Sequence, residues 1–76
     1  MEQYNTELYS MENKEITSDL KQKILGKRQE ILQAQTGKKV FIIRSINNKK
    51  YAFVSSIVNL ENRDFKLIIS RDIQYV

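Results

Sequence analysis

The 76-residue chain predicts an α+β fold, one or two N-terminal helices packed on a three-stranded antiparallel β-meander. Three observations predict it. Residues 1–36 hold no Pro and one Gly, Gly26, and their apolar residues recur at spacings of three, four and seven. Residues 38–74 instead hold runs rich in Val, Ile, Phe and Tyr, the residues that fit a pleated, half-buried surface. Those runs are divided by two turn signals, INNK and ENRD.

The main helix is expected from Ser18 to Gln35, carrying Leu20, Ile24, Leu25, Ile31 and Leu32, with Ile16 just before it. Thr17 or Ser18 serves as N-cap, Asp19 favours the first turn, and Gly37 stands at C′. Tyr4, Leu8 and Met11 suggest a second helical stretch upstream, broken at Asn13 to Ile16. KVFIIRSI, YAFVSSIVNL and FKLIISRDI are the three strands. A two-residue turn at Asn47-Asn48, where Asn tolerates positive φ, places Ile46 opposite Lys49, Arg44 opposite Tyr51 and Ile42 opposite Phe53. A four-residue loop at ENRD places Leu60 opposite Phe65 and Val58 opposite Leu67.

This register gives two faces. Phe41, Ile43, Val54, Val58, Leu60, Phe65, Leu67 and Ile69 share one, expected to be the core face beneath the helix. The other mixes Val40, Ile42, Tyr51, Phe53, Ile57 and Ile68 with Arg44, Lys49, Ser55, Lys66, Ser70 and Asp72. That half-apolar face calls for a cover of its own, a second subunit, the N-terminal helix or further chain.

Composition narrows the chemistry. A chain of this length is one domain, 1–76, near the limit of independent stability. Cys and His are absent, which excludes disulfides, thiol chemistry and the commonest general base and metal ligand. No metal site, cofactor or catalytic residue is expected. No run approaches the roughly 18–20 apolar residues of a membrane span, and Glu2, Asn5 and Glu7 interrupt any signal-peptide core. Residues 1–36 hold five Lys/Arg and six Asp/Glu, net −1, whereas residues 37–76 hold eight and three, net +5.

The motifs read mostly as structure. TGKK at Thr36–Lys39 lacks the earlier Gly and the following helix of a phosphate loop. Lys38-Lys39 and Lys49-Lys50 fall at opposite ends of one strand, so they form no single basic patch, and nucleic acid is disfavoured as a partner. Asp72 is expected to form an ion pair with Arg71 or Arg44, while Ser55, Ser56 and Ser70 have no base to activate them. The stripe Ile16, Leu20, Ile24, Ile31 is either core packing or a dimer seam. A homodimer through the N-terminal helix or the mixed sheet face is therefore expected.

The order helix, TG, KVFII, an Asn-rich turn, KYAFVSSI, a second turn and FKLIISRDI resembles the extracytoplasmic sensor region of bacterial sensor histidine kinases of the clostridial kind. The resemblance spans Glu15 to Val76. It implies a reduced PAS-like sheet lying between two transmembrane helices, outside the cell membrane, with a small-molecule or peptide signal. The phospho-acceptor His and the ATP-binding boxes of such kinases are not in this sequence, so no enzyme activity is expected of this segment. The apolar ending Tyr75-Val76 then reads as a cut just before a membrane span, and Met1 as either a start or an internal residue. Arg44, Tyr51, Phe53 and Arg71 are the candidate signal contacts, chosen for their places on the sheet. The rival expectation is a small intracellular regulator, of phage or plasmid type, that binds a protein or nucleic acid.

Overall fold

The computed structural model describes residues 4–24 and 26–73. Five strands, β1 (Asn5–Ser10), β2 (Glu15–Ser18), β3 (Val40–Ile46), β4 (Lys49–Leu60) and β5 (Arg63–Asp72), form one antiparallel sheet in the order β2-β1-β5-β4-β3. Among the described residues a single short helix, α1 (Gln29–Leu32), interrupts the long segment 19–39 that links β2 to β3. The expected α+β architecture is therefore replaced by a nearly all-β one.

The first correction concerns residues 4–11. NTELYS alternates as well as it repeats at helical spacing, and β5 offers it a free hydrogen-bonding edge. Asn5 pairs with Ser70 and Ser10 with Phe65, so β1 becomes an inner strand between β2 and the central β5. A tertiary partner overrides a weak local preference here. Asn13, at φ +69°, closes the β1–β2 turn together with the bond from the Lys14 N–H to Ser10 Oγ at 3.1 Å.

The second correction is the helix Ser18–Gln35. Gly26 sits at φ +89°, a conformation outside the right-handed helix. The described residues 19–24 and 26–28 form a strap with no regular secondary structure, and Gln29–Leu32 wind into a short helix. Gly37, at φ +72°, closes a tight turn bridged by Gln35 and Lys38 rather than a helix end. The expected stripe is dispersed. Ile16 and Leu32 are exposed, Ile31 is buried, and Leu25 lies outside the described residues.

The meander is as expected in its first hairpin. Ile46 faces Lys49, Arg44 faces Tyr51 and Ile42 faces Phe53, around an Asn47-Asn48 turn with both φ values positive. The second hairpin differs. Its turn is two residues, Glu61-Asn62, also with both φ positive, so Leu60 faces Arg63 and Val58 faces Phe65. The face assignment survives, because that shift preserves strand parity.

The covered face is the opposite of the expected one. The strap and α1 lie over the mixed face, where Phe53, Ile68 and Tyr9 bury against Ile31 as the apolar core. The apolar face is left open, with Phe41 63%, Ile43 53% and Leu60 48% exposed. Among the described residues no N-terminal helix is present to carry the expected homodimer seam, and the mixed face is covered by the strap and α1.

Candidate functional site

The covered face contains a chain of ion pairs. Glu7 points inward from β1, two residues from Tyr9 on the same side. The strap supplies Arg28, α1 supplies Glu30 and β3 supplies Arg44. Glu7 and Glu30 are 1% and 0% exposed, a depth that carboxylates reach only when paired. Arg28 meets that requirement on both sides. Its Nη2 donates to Glu7 Oε1 at 2.8 Å, and its Nε donates to Glu30 Oε2. Arg44 then forks onto Glu30, Nε to Oε1 and Nη2 to Oε2, both at 2.9 Å. This is the bidentate geometry in which guanidinium and carboxylate match best. The Tyr9 hydroxyl donates to Glu7 Oε2, completing the row Tyr9–Glu7–Arg28–Glu30–Arg44.

Beneath that row lies the fully buried Phe53. The guanidinium carbons of Arg44 and Arg28 stand 5.2 and 5.8 Å from its ring centroid, within cation–π range. Tyr51 is tilted against the same ring, with centroids 6.0 Å apart. Two carboxylates and two guanidinia make the cluster neutral as a whole.

The electrostatics keep its centre, Glu30 and Arg28, ionised. Burial pushes the Glu30 carboxyl up, but hydrogen bonds from Arg44 and Arg28 together outweigh it and hold the group below the ordinary carboxylate range. Burial likewise works against the charge on Arg28, and the hydrogen bonds to Glu7 and Glu30 reverse it, holding the guanidinium above its ordinary value. Burial, then the bond to Glu7, push the Tyr9 phenol up to about 12. A permanently neutral phenol, permanently charged guanidinia and a carboxylate held ionised have no proton to exchange near neutral pH. The arrangement is suited to clamping and recognition, not to acid–base chemistry.

Further bonds fix the strap at its two ends. The Thr6 N–H donates to Asp19 Oδ1 at 2.6 Å, and the Asp19 N–H returns a bond to the Thr6 carbonyl at 3.1 Å. Lys66, buried on β5, donates from Nζ to the Ile31 carbonyl at 3.0 Å and to Asn13 Oδ1 at 2.6 Å. Between these anchors the strap leaves a cleft of about 370 Å³, lined among others by Glu7, Tyr9, Glu15, Lys23 and Arg28. Its lining carries both signs of charge. Among the described residues, no group of three or more acidic, Cys or His side chains converges as a metal site requires.

Of the four candidates expected from sequence, Arg44, Tyr51 and Phe53 come together on the covered face. Arg71 lies on the other side of the sheet, its guanidinium 5.7 Å from the Tyr4 ring centroid. Arg44, expected near Asp72, is committed to Glu30. Sequence reasoning missed Glu7, Tyr9, Arg28 and Glu30. For Glu7 and Tyr9 a signal was present in the alternation of NTELYS; Arg28 and Glu30 pair with each other two residues apart, but their cross-sheet partners Glu7 and Arg44 lie 21 and 14 residues away, which no local pattern reports.

No protein family, curated protein or solved structure matches this chain. Among the described residues, no helix is long and apolar enough to cross a membrane.

Proposed function

We propose that this chain is a signal-sensing module of the extracytoplasmic side of a membrane-bound two-component sensor histidine kinase, a unit with no chemistry of its own. The observation that carries the proposal is the pairing of β1 with β5. Asn5 stands opposite Ser70, so the chain enters and leaves the sheet side by side, on adjacent inner strands. A module set between two membrane spans needs its two connections close together and mechanically coupled. The strap supports the same reading. It is tied to β1 through Asp19 and Arg28, and it borders a cleft with both signs of charge, suited to a small polar signal with charges of its own. A ligand that binds one strap position better than the other shifts β1 against β5, and with it the two connections. This replaces the expected helix-to-strand movement, because among the described residues of 18–35 only Gln29–Leu32 are helical.

The test is the coding sequence on either side of this segment, followed by reporter fusions at both ends. An apolar stretch of about 20 residues on each side is the expected result. A stop codon directly after Val76, or flanks without such stretches, refutes the proposal.

A second reading, a small regulator that binds another protein, is favoured by one observation, the open apolar sheet face. Its nucleic-acid form has less support. Lys38-Lys39 and Lys49-Lys50 flank the two ends of β3, about 25 Å apart at roughly 3.3 Å per residue.

A further inference from the structure

We infer that the open sheet face is a self-association surface, on which a second copy of this chain packs face to face to make a two-sheet sandwich. Strand alternation puts Phe41, Ile43, Val54, Phe65, Leu67 and Ile69 on that face, and no element of the described chain covers them. The centre of the face is uncharged. Its basic residues sit at the rim, Lys50 at the start of β4 and Arg63 and Arg71 toward opposite ends of β5, and no strand carboxylate points from it, so closure of two copies leaves these cations at the solvated edge.

The covered side explains why an occupant is needed. Its fully enclosed apolar side chains are Tyr9, Ile31, Phe53 and Ile68, and its other large buried groups are charged or hydroxylic. That is a thin core for 76 residues, and chains of this size commonly need a second source of burial. The dimensions suit a second copy. β1, β5, β4 and β3, with 6, 10, 12 and 7 residues, project to roughly 550 Å² at about 4.8 Å strand spacing and about 3.3 Å per residue. With side-chain relief this approaches the roughly 800 Å² per partner of a stable interface. A twisted sheet is matched best by a sheet of the same twist, at the roughly 10 Å separation of aligned sandwiches. A two-fold arrangement is self-complementary by construction.

The inference concerns the face opposite the cleft and does not depend on the sensing proposal. It is tested by sedimentation equilibrium on the 76-residue chain up to about 100 μM, a range that detects micromolar association. The expected mass is twice the 9.0 kDa of one chain. Phe41→Glu and Ile43→Glu, on an edge strand where both residues are exposed, are expected to weaken the dimer about tenfold or more while leaving the circular dichroism of the sheet unchanged. A measurement without variants accompanies them. In a mixture of isotope-labelled and unlabelled chain, filtered NOEs are expected between the Val54 and Leu67 methyls of one copy and the apolar side chains of the other. A monomer at every concentration overturns the inference. So does a dimer indifferent to both substitutions, an absence of NOEs from those methyls in a dimeric sample, or a monomer that instead adsorbs to phosphatidylglycerol vesicles.

Discussion

Replacing Glu30 by Gln removes the charge at the middle of the buried row while keeping its shape. The carboxylate accepts three charge-assisted bonds, one from Arg28 and two from Arg44. Gln retains one acceptor oxygen and turns an NH2 toward the guanidinia, so about two such bonds are lost. At about 1.5–3 kcal/mol each, the gross loss is roughly 3–6 kcal/mol. Arg28 and Arg44 are 12% and 22% exposed, which lets water recover part of it. A net cost of about 3 kcal/mol follows, at the lower end of what breaking a buried pair costs. A domain of this size shifts its melting temperature by about 4–8 °C per kcal/mol, so Glu30→Gln should melt roughly 12–24 °C lower. The pH dependence carries a second signature. Because the folded carboxyl is held below its unfolded value of about 4.3, its stabilisation is present above that pH and drains away as pH falls through the folded value. Thermal melts at pH 7 and stepwise to pH 3 check both. The gap between native and variant should be largest at pH 7 and close on acidification. A variant that melts within about 2 °C of the native chain at pH 7, or a gap that widens in acid, refutes the ion-pair account of how the strap is held.

Other expectations follow from single contacts. Glu61 occupies a left-handed turn position at φ +52°, which costs a side chain with a Cβ roughly 1 kcal/mol, so Glu61→Gly should raise the unfolding free energy from denaturant titration by up to about that amount. Ser55 Oγ and Ser70 Oγ are buried and make no hydrogen bond among the described residues, so each Ser→Ala change should be neutral or stabilising by up to about 1 kcal/mol in the same assay. Spectrophotometric titration should show one tyrosine ionising near pH 12, absent in Tyr9→Phe. Asp19→Ala removes a bond to the Thr6 N–H and should cost about 1 kcal/mol, with faster amide exchange at Thr6.

The strands β3, β4 and β5 were legible because their signals are local: alternation, β-branched residues and Asn-Asn at a turn that demands positive φ. The helix over 18–35 was misread for an equally local reason. Apolar residues at helical spacing are also what a strap needs when it touches a sheet intermittently, and Leu20 and Ile24 do this half-buried. Nothing nearby in sequence reports that Arg28 must reach Glu7. The inversion of the faces has the same origin. Counting apolar residues favours the face of Phe41 and Ile43 as the inside, yet Glu7, Glu30, Arg28 and Arg44 neutralise one another and make the mixed face the buried one. Of the site, Arg44, Tyr51 and Phe53 could be placed from hairpin register alone. Its acidic half could not, because it comes from a strand and a turn that periodicity assigned to helices.

The pairing of β1 with β5 also sets how the molecule responds to load. Tension applied at residues 5 and 72 pulls two neighbouring antiparallel strands apart from the end where both connections leave, and it loads the Asn5–Ser70 rung before the Thr6–Ile69 rung. Each rung yields in turn, as in opening a zip, whereas strands leaving from opposite ends would resist in shear with all their bonds sharing the force. The fold is thus compliant along one direction, and a sideways pull on its connections reaches the strap after one rung, at Thr6, where Asp19 is fastened.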